Sequence, residues 1–359
     1  MSSPSTPESD SVRTGRRSGV RRPTIKDVAR EAGVSSVTVS RVVNEPGLVQ
    51  AVTRERVERV MRRIGYVPNL AARTMRTNLT RSVGCLVPDL VNFPNAAVAQ
   101  NAERHLAAAG YCLLLANSDY DPAQELRAID ALRTRQVDGF LLYLSDESDP
   151  ALHEAVAQLD VPCVVLDRKL PQTTDLVLSD HGPAVRDAVR YLVSLGHRRL
   201  ALLTSTLIIR PKLERRAAFQ ATVAEAGLEV AAQLVVEVPP TEHYRSQAAQ
   251  SLFERAEPPT AVIVEGSRQI RSVLAAARSR GFSVPRDLSL VGMDATDIAS
   301  VTTPELTCIT RDYAEIGRTA AELLLRRLVE PDAPVRRAVL ESQVVLGGSC
   351  APPPKRSRT

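Results

Sequence analysis

The sequence has no tryptophan, and its 7 tyrosines and 5 phenylalanines hold aromatics to 3% of 359 residues. A ligand site in this chain must rely on polar and aliphatic side chains more than on ring stacking. No run of 18 apolar residues occurs, so no membrane span is expected. The cysteines (Cys85, Cys112, Cys163, Cys308 and Cys350) number 5, an odd count, and none stands at Cys-x-x-Cys spacing. That argues against a disulfide framework and for free thiols in a reducing compartment. The phosphate-cradling patterns Gly-x-Gly-x-x-Gly and Gly-x-x-x-x-Gly-Lys-Ser/Thr are missing, as is the nucleophile elbow Gly-x-Ser-x-Gly. The 5 histidines lack metal-ligand spacing. An enzyme is therefore not expected, and neither is a cofactor. The Ser-, Pro- and Arg-rich start lacks the apolar segment of a secretory signal, which points to the cytoplasm.

What is present is an uneven charge. Residues 1–82 carry 16 Lys and Arg against 7 Asp and Glu, whereas the remainder carries 30 against 34. A basic N-terminal segment on a slightly acidic body is the footprint of nucleic-acid binding, because clustered cations attract phosphates. Residues 1–20 and 350–359 have the polar composition of disordered tails.

Three short helices are predicted over 23–65. Thr24 caps the first, with Asp27 in its first turn and Gly33 as its stop. Ser35 caps the second, which runs through Val39, Val42 and Val43. Thr53 caps the third, whose apolar face is Val57, Val60, Met61 and Ile64, ending at Gly65. About three residues separate the first two helices, a spacing typical of a helix-turn-helix.

After Ser82 the pattern changes. Short apolar runs, from Val83–Pro88 to Leu288–Gly292, alternate with amphipathic stretches such as Ala97–Ala109 and Arg215–Ala226. Continuous apolar strands between helices imply parallel sheets covered on both faces. A strand, loop, long helix and Ala-Gly recur in 81–117 and 199–230, which suggests a duplicated α/β subdomain. Ligands of such sheets bind outside the carboxyl ends of strands. The polar residues there are Asp89, Asn92 and Asn95 after the first strand, then Asn117, Tyr143, Asp167, Arg168, Ser205, Glu265 and Asp294. This ring suits a polyhydroxylated or otherwise polar small molecule.

The run Thr24-Ile-Lys-Asp-Val-Ala-Arg-Glu-Ala-Gly-Val-Ser-Ser-Val-Thr-Val-Ser-Arg-Val-Val-Asn44 closely resembles the head of LacI/GalR transcriptional regulators. The similarity continues through Thr53-Arg-Glu-Arg-Val57 and Ile64-Gly-Tyr-Val-Pro-Asn-Leu-Ala-Ala-Arg73. In such proteins Ser36, Val37 and Arg41 occupy the base-reading face. Arg41 suits bidentate donation to guanine, and Val37 suits a thymine methyl. Thr24, Ser35, Thr38, Ser40 and Asn44 then become phosphate or positioning contacts. The resemblance implies a hinge helix over 69–79, with Ala72, Arg73, Met75 and Arg76 in the minor groove. Met75 replaces the usual Leu wedge.

Looser similarity extends into the sensor at Val137–Leu142, Ser194–Leu203, Val284–Asp294 and Thr303–Thr307. Glu214-Arg215-Arg-Ala-Ala-Phe219 matches a motif whose Arg contacts effector, so Arg215 and Asp294 lead the expected effector site. Some positions depart from the family pattern. Glu265-Gly266 replaces an Asn-Asp pair, Ala295 a second Asp, and His181 a common Asn. The loop Asn92-Phe93-Pro94-Asn95 lacks one of two aromatics. These changes fall at the pocket, so a ligand cannot be carried over.

The expected architecture is an all-α helix-turn-helix head (21–68), a hinge helix, and a periplasmic-binding-protein-like sensor (80–349). The sensor comprises two doubly wound parallel-sheet subdomains, one of about 80–179 and 311–339, the other of about 180–310 and 340–349. Such a protein is expected to be a homodimer that binds a near-palindromic double-stranded operator as a repressor. A small, carbohydrate-like effector is expected to control it.

Overall fold

The computed structural model describes residues 23–68, 79–170, 174–229, 233–242 and 247–354. The chain divides at Asn78/Leu79 into two compact units.

In the first unit, helix α1 (Ile25–Ala32) opens with a reciprocal capping box between Thr24 and Asp27 and stops at left-handed Gly33. Helix α2 (Ser36–Asn44) begins where the Ser35 side chain accepts from the Thr38 amide. Helix α3 (Ala51–Ile64) starts three residues earlier than the sequence suggests. Gln50 is its N-cap and makes no side-chain capping bond, so Thr53 lies inside the first turn. Val28, Val39, Val42, Val57 and Val60 converge from the three helices into a small core.

The second unit is built on one continuous sheet made of two lobes. In the first lobe β1 (Ser82–Val87), β2 (Cys112–Asn117), β3 (Gly139–Leu142), β4 (Cys163–Leu166) and β5 (Asp175–Asp180) pair in parallel, in the order β2-β1-β3-β4-β5. In the second, β6 (Leu200–Ser205), β7 (Leu234–Val238), β8 (Ala261–Glu265), β9 (Ser289–Met293) and β10 (Thr307–Arg311) follow the order β10-β9-β8-β6-β7, again parallel. Strand β11 (Arg337–Val345) joins them. Its first half runs parallel to β5, and from Ser342 onward it runs antiparallel to β10.

Strand periodicity sorts the side chains of β1. Val83, Cys85 and Val87 pack toward α4 (Phe93–Ala108) and α12 (Tyr313–Val329), while Leu86 faces α5 (Pro122–Thr134) and α6 (Pro150–Ala157). The second lobe is likewise covered on both faces. Helix α7 (Gly182–Ser194) and α8 (Arg210–Glu225) lie on one side. On the other are α9 (Gln247–Ser251), α10 (Gly266–Ser279) and the short α11 (Thr296–Ala299).

Residues 350–354, expected in a tail, are instead tied to this lobe. Ala351 donates its amide to Ser289 Oγ at 3.0 Å, and its carbonyl accepts from His197 Nε2 at 2.9 Å. Buried His197 also bonds Thr260, which makes it a structural clasp.

Candidate functional site

Two regions gather the predicted residues. On α2, Val37 is 62% exposed, a position that costs an apolar side chain its burial and yields nothing to the head's own core. Arg41, one turn further, is exposed and makes no ion pair with a described residue. Ser36 is half-buried beside them. The remaining predicted head contacts are engaged locally. Thr24 donates to Asp27 Oδ2 at 2.7 Å, Ser35 and Thr38 share a hydroxyl bond of 2.9 Å, and Asn44 donates to the Ser40 carbonyl at 2.7 Å. They hold the helix ends that present Val37 and Arg41. Ala72, Arg73, Met75 and Arg76 lie outside the described residues.

The second region is a cleft between the lobes, with a cavity of about 180 Å3. Its floor is a buried ionic network. Asp167, after β4, and Asp294, after β9, occupy equivalent places in the two lobes. Both adopt left-handed backbone angles, φ 54° and 53°, a region that aspartate tolerates better than most residues. This turn directs both carboxylates at Arg311, the last residue of β10. Arg311 donates to Asp167 at 2.8 Å and to Asp294 at 2.9 Å, joining the lobes. Arg215, on α8, donates to Asp294 and to Glu265, each at 2.5 Å. Arg210, one turn earlier, reaches Asp167 at 3.1 Å and the Ser179 carbonyl at 2.9 Å.

His181 sits between Asp167 and Arg215. Its Nδ1 lies 3.1 Å from an Arg215 nitrogen, which can only donate. Nδ1 therefore accepts, and Nε2 carries the proton given to Asp167, 2.9 Å away. Burial also lowers the His181 pKa, which favours this neutral form. Burial alone would raise the Asp167 and Asp294 carboxyls. His181 and Arg311 outweigh it at Asp167, and Arg311 and Arg215 at Asp294, so both stay well below the ordinary range.

Of the predicted ring, Asn95, Tyr143, Asp167, Arg168, Ser205, Arg215, Glu265 and Asp294 line this cavity. Asn117 does not. It accepts from the Leu90 amide at 2.9 Å and so braces the rim loop. The rim itself is crossed by an ion pair, Arg268 of α10 with Asp89, at 3.1 Å. Sequence reasoning missed Arg210, Arg268 and Arg311, and noted His181 without giving it a role. His181 and Arg311 both stand at carboxyl ends of strands, the same signal that found Asp167 and Asp294. Among the described residues no His, Cys, Asp and Glu group could hold a metal ion.

Family models match parts of both units of the chain. Residues 24–69 match the bacterial regulatory proteins of the lacI family, and residues 189–350 the periplasmic binding protein-like domain. Catabolite control protein A of Priestia megaterium is 34% identical over 308 residues, 84% of this chain and 92% of that protein.

The chain belongs to the LacI family of bacterial regulatory proteins.

The HTH-type transcriptional repressor CytR of Escherichia coli is 31% identical over 329 residues, covering 91% of this chain and 96% of its own. Among solved structures, the lac repressor dimer bound to operator and the anti-inducer ONPF aligns with a TM-score of 0.78 at 26% identity. It covers 92% of this chain and all of its own. A complex of the regulator CelR with cellobiose aligns at 0.68 and 28%, covering 91% of this chain. These relatives are regulators of transcription, not enzymes. As a LacI-family member, the chain is a DNA-binding regulator with a helix-turn-helix head and a periplasmic-binding-protein-like sensor.

Proposed function

We propose that this regulator is a repressor that binds a near-palindromic operator as a homodimer. In this reading α2 reads bases through Ser36, Val37 and Arg41, and a polar ligand in the cleft sets the operator affinity. The observation that carries it is the pairing, on one face of α2, of an exposed Val37 with an exposed Arg41 that makes no ion pair with a described residue. A thymine methyl and a guanine edge supply the burial and the acceptors that the head itself does not. Two-fold symmetry follows from the motif, because one head covers too few bases for specificity and a dimer places two heads a helical turn apart. Support for a ligand comes from the solved relatives, whose complexes contain ONPF, cellobiose and, in an Enterococcus faecium regulator, ribose.

The coupling is differential affinity for two lobe arrangements. Arg311 and Arg210 bridge from one lobe to the other, so a ligand that competes for Asp167 or Asp294 changes what holds the lobes together. The test is selection of duplexes from a random pool by the full-length protein, read by sequencing. A palindromic motif is expected. Arg41→Ala should then cost about 1–3 kcal/mol on it and relax one base position in each half-site. An asymmetric motif, or equal binding by the variant, contradicts the reading.

A further inference from the structure

We infer that Arg268 and Asp89 form an ionic latch at the mouth of the cleft, which holds the two lobes closed and must part before a ligand enters. This deepens the proposed ligand control and rests on lobes that move. Among the described residues, three Arg–Asp pairs join the lobes. Arg311 and Arg210 both meet Asp167 in the floor, where their side chains are 7% and 11% exposed and the carboxylate 6%. Arg268 meets Asp89 at 3.1 Å, with its own side chain 32% exposed and that of Asp89 11%. Both residues line the cavity, at its solvent edge rather than its floor. Water and dissolved salt reach this pair before the others.

The two halves of the pair are built differently. Asp89 is an anchor. Its carbonyl accepts from the buried Asn95 side chain at 3.0 Å, and its Oδ1 accepts from the Val91 amide at 2.8 Å, which leaves Oδ2 for Arg268. The next residue, Leu90, donates its amide to Asn117 at 2.9 Å. Arg268 is the arm. It stands in the first turn of α10, where Nη1 donates to the Pro240 carbonyl at 2.5 Å and Nη2 to Asp89. One guanidinium thus gathers the loop after β7, the start of α10 and the loop after β1. The first two belong to one lobe and the third to the other.

The strengths of the contacts suit a latch. A partly exposed pair is weak and is screened by salt, so it parts readily. The floor pairs are buried, and separating them would strand charges away from water. The lobes therefore open first at the Arg268 edge, and a ligand in the cavity is retained when Arg268 returns to Asp89.

Hydrogen exchange of the full-length protein, read by mass spectrometry without DNA or ligand, tests this. The informative amides are Ser205 and Leu207 in one lobe and Asp167 in the other. They donate to Glu265, the Ser205 hydroxyl and the Val177 carbonyl, so none bonds to the pair. Arg268→Met should speed their exchange by about twofold to fivefold. Asp89→Asn should do the same, and Arg268→Lys should keep most of the protection. In wild type, raising salt from roughly 50 to 500 mM should give a similar gain, which Arg268→Met should not show. Arg268 is partly exposed, so its replacement should leave the circular dichroism spectrum unchanged; Asp89→Asn gives an independent reading. Unchanged exchange at these amides overturns the latch. So does a gain confined to residues 88–92 and 266–270, or an Arg268→Lys as unprotected as Arg268→Met. Such a failure leaves ligand control of operator binding standing, because that is read by operator affinity.

Discussion

At the scale of single residues, the cleft is held by charges that are stable only together. Arg311 is the shared partner of Asp167 and Asp294, and its removal leaves two buried carboxylates short of a cation. Arg311→Met should therefore lose about 3–5 kcal/mol, read by urea unfolding of the full chain; a loss under about 1 kcal/mol would mean that Arg210 and Arg215 suffice. His181 gives a pH dependence whose sign follows from its lowered pKa. In the unfolded chain it takes up a proton near its ordinary value of 6.5, whereas the folded site resists protonation. Its contribution is thus fully present above that value and is lost as pH falls toward the folded one. His197, also lowered by burial, acts in the same direction. The melting temperature should fall between pH 7.5 and 5, and less steeply in His181→Asn. Identical slopes would exclude His181 as the cause.

At the scale of elements, legibility in the sequence followed locality. The first two helices of the head were readable because Thr24, Ser35 and Gly33 cap through bonds within a few residues. The third starts three residues before its expected place because Gln50 makes no capping bond to betray it. Asp167, Glu265 and Asp294 were found because each follows an unbroken apolar strand. His181 and Arg311 were not, because β5 and β10 carry Ser, Thr and Asp within or beside their short apolar cores and escaped notice as strands. The ion pairs themselves are beyond any local pattern, since Asp167 and Arg311 are 144 positions apart. Helix packing adds a similar long-range constraint. A Cβ on Gly317 of α12 would lie 2.6 Å from the Val98 carbonyl oxygen of α4, a backbone atom that cannot turn aside. Gly317→Ala should cost about 1–3 kcal/mol by forcing the two helices apart; an unchanged urea midpoint would show that they slide without penalty.

At the scale of the whole molecule, a head that exposes Val37 and Arg41 on one helix face belongs to the same chain as a sensor whose lobes are bridged by Arg210 and Arg311. Each unit is intelligible alone, but regulation requires that they communicate. One titration decides whether they do: the affinity of wild-type protein for its selected operator duplex, with and without a saturating compound shown by calorimetry to bind the cleft. The affinity should change by about fivefold or more, in either direction, and by the reciprocity of linkage the duplex should change affinity for that compound by the same factor. A compound that fills the cleft and leaves operator affinity unchanged would contradict ligand control of DNA binding.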